Sequence, residues 1–407
     1  MTAYMFNMPY HGHINPCLAL IQELTRRGER IVFYGLEQYR RPAEAAGAVF
    51  RAFEYEEEET NVALCMMAEW QMQIVEKTLD GLIRDAIREK PSCVLVDYTC
   101  LWGRFLSQHL GLPAAVIHTT YPILTRRSRF MYLVAREVLR IPGIWRKVLS
   151  FRATARRLSR RWHVPRLAMP FELLYADYGE LHLVLTSREM APGAHRLDDR
   201  FAFVGPCIRP AGIAGGEPLP PLDEKPLLYV SLGTHWKHSG EIYRVCIDAF
   251  RDAPLQVLIS GSERMPRELL QGLPSNFHVR RHVDQIEALS RANAFITQGG
   301  MNSVCEALVA GVPMLVHPRG FDQFSQARYI EGAGCGFALK PADLNRENLR
   351  RLVERLLRDR PIRDNCQRIG QQLLSLGGAQ KAADLAMALR KPREGLGAEA
   401  PALARIA

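Results

Sequence analysis

Short apolar runs alternate with helical patterns from the first residues of this chain. AYMFNM (3–8), RIVFYG (30–35), SCVLVDY (92–98) and PAAVIHT (113–119) are dense in apolar residues, as strands buried on both faces must be. Between them, INPCLALIQELTRRG (14–28) spaces Leu18, Ile21 and Leu24 as a helix does and stops at Gly28. LWGRFLSQHLG (101–111) follows as a second helix. Strands joined through helices pair in parallel, so the chain is confined to the α/β class.

The alternation breaks once, at PCIRPAGIAGGEPLPPLDEKP (206–226), where Pro and Gly are dense and no period survives. It then restarts with the strands LLYVSLG, LQVLISG, HVRRHV (278–283), AFITQ and PMLVHP. The 407 residues suit two cores at about 150 residues per domain. The expected architecture is two doubly wound, Rossmann-like domains facing a cleft. Residues 1–205 form the first domain, 206–226 the linker and 227–378 the second domain. A helix at 379–391 packs back on the first domain, and the tail 392–407 frays. Ligands of such sheets sit beyond the carboxyl ends of the strands.

Bulk properties exclude several classes. Hydrophobic residues make up 47% and charged residues 24%, a globular and not a disordered balance. The nine cysteines form no CxxC pair and are odd in number, which favours neither zinc nor a disulfide framework. The start lacks the basic and apolar regions of a signal peptide. No apolar run nears the roughly 18 residues of a spanning helix. A reducing cytoplasm is the expected location.

ITQGGMNSVCEAL (296–308) ends a strand, turns on two glycines and opens a helix. Free N–H groups and the positive dipole end of that helix favour an anion. Asn302 and Ser303 add donors. SLGTHWKHSG (231–240) repeats the layout with Gly233 and Thr234, and two such turns suit a diphosphate. PRGFDQFSQ (318–326) brings Asp322 and Gln323, an acceptor beside an amide, as suits sugar hydroxyls.

The run from Gln298 to Gln323 resembles the nucleotide-sugar signature of the UDP-glycosyltransferase superfamily, HxGxxSxxExxxxGVPxxxxPxxxDQ, at every position but the first. Upstream, HVDQ (282–285) resembles the aromatic–x–P–Q stretch that receives the base. GHINP after the first strand and VLVD (94–97) agree, so the resemblance covers nearly the whole chain and is closest to the bacterial macrolide-type enzymes. It implies a glycosyltransferase-B fold with the donor in the second domain. Val283 and Gln285 would meet base and ribose, with His282 stacked in place of a tryptophan. Glu306 would accept from ribose, while Thr234, Gly300, Asn302 and Ser303 hold the diphosphate. Asp322 and Gln323 would hold the sugar. Gln298 stands where the family has histidine. It keeps a hydrogen bond and gives up a charge, which implies weaker donor affinity, with the helix N-terminus and His235 or His317 as candidates to compensate.

His13, on the loop after the first strand, and Asp97, at a strand end, face the cleft from one rim. Asp97 can fix the imidazole tautomer while Nε2 takes the acceptor proton, and the resemblance implies this dyad. His11 is the rival, read as a loop hydrogen-bonder. The reaction would be a single displacement with inversion, with no metal and no cofactor beyond the nucleotide-sugar co-substrate. A sugar-nucleotide 2-epimerase and a catalytically silent nucleotide-binding member are the competing readings. The first would need carboxylates in place of the dyad, and the second is favoured by Gln298 and His282.

The acceptor is expected to be a small, mostly apolar hydroxylated molecule, with Met66, Met67, Trp70, Met72, Phe130 and Tyr132 as candidate lining or ordinary core. The net charge of +10 is concentrated between Arg126 and Arg166, where Glu137 is the only acid. A solvated helical face, an anionic membrane contact through Ile141, Ile144, Trp145 and Leu149, and steering of an acidic acceptor are all compatible with it. Nucleic acid is not expected, since no recognised module is present.

Overall fold

The computed structural model describes residues 2–53, 64–122, 143–170, 172, 178–233, 240–320 and 322–389. The first half runs β1 (Thr2–Phe6), α1 (His11–Arg26), β2 (Arg30–Gly35), α2 (Arg40–Ala45), β3 (Val49–Ala52), α3 (Leu64–Glu89), β4 (Cys93–Asp97), α4 (Leu101–Leu110), β5 (Ala114–His118), α5 (Ile144–Trp162), β6 (Leu181–Val184) and β7 (Phe201–Phe203). The second half runs β8 (Leu227–Ser231), α6 (Gly240–Phe250), β9 (Gln256–Ser260), α7 (Arg267–Leu270), β10 (Phe277–Arg280), α8 (Gln285–Arg291), β11 (Ala294–Thr297), α9 (Met301–Val309), β12 (Met314–Val316), α10 (Gln323–Gly332) and β13 (Gly336–Ala338). Three helices close the chain: α11 (Arg346–Arg358), α12 (Arg360–Ser375) and α13 (Gly378–Ala388).

Each half is one parallel sheet. The first has the order β3-β2-β1-β4-β5-β6-β7 and the second β10-β9-β8-β11-β12-β13. The central strands are buried along their whole length, which is why their sequences read as continuous apolar runs. Tyr4, Phe6, Val94 and Val96 pack on one face against α3, α4 and α5. Met5, Leu95 and Ile117 pack on the other against α1 and α2. Helix α13 joins this second layer through Ala382, Ala383 and Ala386, and Asp384 meets Arg27 Nη1 at 2.5 Å.

Two local expectations are corrected. His13 lies not on a loop but in the first turn of α1, whose N-terminus is Tyr10. The run HVRRHV does not continue as a strand to Val283, because β10 ends at Arg280 and Val283 pairs with Glu217 of the linker instead. Thr234, His235, Phe130, Tyr132, Ile141 and the tail 392–407 lie outside the described residues, as do the side chains of Met66 and Ile144.

Candidate active site

Parallel register brings the ends of β1, β4 and β5 to one rim: Phe6 pairs with Val96, and Asp97 with Ile117. Helix α1 starts just beyond β1 and lowers His13 onto that rim. His13 Nδ1 lies 2.7 Å from Asp97 Oδ2, the imidazole 23% exposed and the carboxylate fully buried. Asp97 is held from behind, its Oδ1 accepting from Thr99 N at 3.0 Å and Thr99 Oγ1 at 2.7 Å. Thr119 Oγ1 sits 3.3 Å from His13 Nδ1. Burial pushes the imidazole pKa down, but the charge and hydrogen bond of Asp97, with Asp322 beyond, outweigh it and hold His13 above its ordinary value.

Behind His13 stands a stack of rings that sequence reasoning missed. Tyr98 is 6.2 Å from His13 and 5.3 Å from His118 between centroids. His118 Nε2 contacts His182 Nδ1 at 3.0 Å, and His182 stacks on Phe201 at 4.1 Å. Both histidines are fully buried, and desolvation lowers both, His182 to about 4. They are neutral packing groups at pH 7.

Across the cleft, Gly299 takes φ +87, where a side chain would strike Val316. Gly300 is the N-cap of α9, and a Cβ there would meet nothing, so the mouth of the helix is open. Gln285 Nε2 reaches Ser303 Oγ at 3.1 Å and Glu306 Oε2 at 2.5 Å, so these three expected residues converge. Burial raises the Glu306 carboxyl, partly offset by that amide and by Arg209. Val283 is 1% exposed with its side chain in the core, so only its backbone can meet a base. Gln298 lies in the notch left by Gly233, and its buried Oε1 has no hydrogen-bond partner among the described residues. His317 does not compensate for it. It is 2% exposed, bonds Leu339 O through Nδ1 and is lowered chiefly by burial, so it is neutral.

The two rims touch at the expected donor residues. His11, in the first turn of α1 and not on a loop, stacks on His282 at 5.2 Å and 24°. Asn302 Nδ2 donates to Gly12 O at 2.5 Å. That carbonyl is free for a reason: Pro16, four residues on, has no N–H to give it. Asp322 stands at the N-cap of α10 without capping it, and accepts from Thr120 Oγ1 at 3.0 Å. Burial raises the Asp322 carboxyl, with Thr120 and His13 opposing. Gln323 Oε1 is committed to Arg319 N and Gly320 N, leaving its –NH2 for a hydroxyl. The polar pair after β5, in IHTTY, is the signal that could have found Thr119 and Thr120.

A match to the family model for the C-terminal domain of erythromycin biosynthesis protein CIII-like proteins covers residues 248–389. The NDP-glycosyltransferase YjiC of Bacillus licheniformis is 30% identical, over 93% of this chain and 95% of the relative. The chain belongs to the UDP-glycosyltransferase superfamily. The oleandomycin glycosyltransferase of Streptomyces antibioticus is 28% identical over 94% and 89% of the two chains. The solved glycosyltransferase of kitacinnamycin superposes with a TM-score of 0.81 at 26% identity, covering 95% of this chain and 98% of that one. The two sheets of this glycosyltransferase are therefore those of a glycosyltransferase-B fold. Among the candidate acceptor residues, Met72 is buried core, whereas Met67 and Trp70 are half-buried at the cleft end of α3.

Proposed function

We propose that this glycosyltransferase moves a hexose from a UDP-sugar, with a dTDP-sugar the alternative donor, to a hydroxyl of a small, mostly apolar acceptor such as a natural product or lipid. The 2.7 Å contact of His13 with Asp97, opposite Asp322 and the open mouth of α9, carries this reading. It also favours catalysis over a silent binding role. Relatives named for NDP-sugars and for oleandomycin support the donor and acceptor classes.

Nδ1–H of His13 donates to Asp97, leaving Nε2 to take the acceptor proton. The acceptor oxygen then bonds the anomeric carbon from the face opposite the diphosphate, which departs with the electron pair of the broken C–O bond. An α-linked D-sugar donor gives a β-glycoside. The N-terminus of α9, with Asn302 and Ser303, meets the charge that develops on the leaving group, so the step needs no metal. Asp322 and the –NH2 of Gln323 orient the sugar. Transfer from UDP-glucose to a panel of apolar phenols and macrolides, with the anomeric coupling read by NMR, tests it. A β-product whose formation His13→Ala slows by about a thousandfold is expected. An α-product overturns inversion, and UDP binding without turnover of any donor leaves the binding-only role.

Helix α5 supports a peripheral contact with anionic membrane. Its Trp145 and Leu149 are 61% and 64% exposed, flanked by Arg146, Arg152, Arg156 and Arg160, which pair with no carboxylate among the described residues. The opposite flank is tied to α3 through Ser150–Glu69, Arg157–Glu76 and Arg161–Asp80, which sets Trp145 at the cleft end of both helices. Among the described residues no helix is long and apolar enough to cross a membrane. Co-sedimentation with phosphatidylglycerol but not phosphatidylcholine vesicles, weakened in Trp145→Ala, is the expected result.

A further inference from the structure

Arg209 and Asp284 form an ion pair that is buried on both sides, at 2% and 4% exposure. Taking two charges out of water is costly, and an apolar pair often serves stability as well, so what such a pair supplies is placement. Here one carboxylate ties the linker to the start of α8. Asp284 Oδ2 accepts from Arg209 Nη1 at 2.8 Å and from Gly212 N at 2.7 Å. Oδ1 accepts from Arg209 Nη2 at 3.1 Å and caps α8 through Ile286 N at 2.9 Å and Glu287 N at 3.3 Å. The linker is laid against the same run: Glu217 N donates to His282 O at 2.8 Å, and Arg281 N to Glu217 Oε1 at 3.0 Å. At Gly216 a side chain would lie 2.8 Å from Asp284 N.

Asp284 occupies the position that is proline in the resembled aromatic–x–P–Q stretch. Its φ is −65°, the value a proline ring would impose. The next residue is Gln285, which reaches Ser303 and Glu306. We propose that Arg209 is a positioning residue for the nucleoside. Through its two-pronged bond to Asp284 it fixes residues 282–285 in the conformation that a proline ring fixes covalently, and so sets His282 and Gln285 toward base and ribose. The linker is thereby a wall of the donor site. This rests on the reading that residues 282–306 receive the nucleoside.

Calorimetric titration of UDP and dTDP tests it, with steady-state kinetics and melting curves on the same proteins. Wild type should bind one of the nucleotides. Binding neither would overturn the donor-site reading and this proposal with it. Arg209→Met should weaken that affinity by about tenfold and raise the donor KM to match, with kcat at saturating donor and the acceptor KM within about twofold. Arg209→Lys, which keeps the charge but not the fork, should fall between. The double variant Arg209→Met/Asp284→Pro removes both charges and restores the ring, and should bind nucleotide more tightly than Arg209→Met alone. A wild type that binds nucleotide beside an Arg209→Met protein that melts earlier but binds equally well would overturn the positioning role alone. So would a double variant that regains thermal stability without regaining affinity. Should Arg209→Met not fold, the lysine and double variants carry the same comparison.

Discussion

The two rims of the cleft are built from different materials. The first-domain rim is a short charged relay, Asp97 to His13, backed by hydroxyls of Thr99 and Thr119 and by neutral buried rings. Among the described residues, the second-domain rim is almost without formal charge where an anion would lie: a helix N-terminus, the amides of Gln298 and Asn302, and Ser303. The difference follows from the work proposed for each. Moving a proton needs a group whose charge changes and whose pKa is set by a partner. Holding a diphosphate and then releasing it is served by fixed dipoles, which require no reorganisation when charge develops.

The largest effect should come from breaking the relay. Loss of His13 as His13→Ala is expected to lower kcat by about a thousandfold, near the middle of the range for general base catalysis, with UDP affinity unchanged. Asp97→Asn should lower kcat by a similar order. It should also move the acid limb of the kcat/KM profile to lower pH, because Asp97 is what raises His13 and the amide would not. A limb that stays in place would mean that Asp97 positions the ring without tuning it.

The relay was partly legible in the sequence, and for a definite reason. His13 and Asp97 sit beyond strands whose apolar runs announce them, and parallel strands bring their ends together. The strand–turn–helix of the second-domain rim was more legible still, because α9 and the turn before it are contiguous. What stayed hidden joins distant segments without marking either one. His118 and His182 interrupt apolar strands and look like rim residues, yet they pair with each other in the core. Arg209 sits in a Pro- and Gly-rich linker that reads as slack, whereas its partner Asp284 pins it. HVRRHV overran as a strand because nothing local shows that Glu217 supplies the partner for Val283. His317 ends a strand like a functional residue, and only its bond to Leu339 O shows it is structural.

That ring stack makes the first rim acid-sensitive. His182 binds its proton less readily folded, at about 4, than unfolded, near 6.5, so stability is complete above about pH 6.5 and is lost as pH falls toward 4. Burial is the main cause, with Arg200 adding to it and Asp198 opposing. The shift corresponds to at most about 3 kcal/mol. His118 acts in the same direction, and His13, raised in the fold, in the opposite one. His182→Phe should stack on Phe201, melt lower at pH 7 because His118 loses its partner, and show a flatter decline between pH 6.5 and 5. A decline as steep as that of wild type would place the acid sensitivity elsewhere.

The smallest expected effect bears on the neutral rim, at Gln298. A neutral hydrogen bond contributes about 1 kcal/mol and a charge-assisted one about 1.5–3, so Gln298→His should tighten UDP binding by several-fold, about tenfold in a favourable geometry. The substitution also removes the buried Oε1 that has no partner among the described residues. Because the gain is made with the diphosphate before and after bond cleavage, kcat should not rise with it, and slower product release could lower it. Tighter UDP with unchanged or reduced kcat would show that this rim holds the nucleotide loosely and gives up charge in favour of release. An unchanged Kd would assign the diphosphate to the mouth of α9 alone and leave Gln298 as the side chain that fills the space Gly233 leaves open.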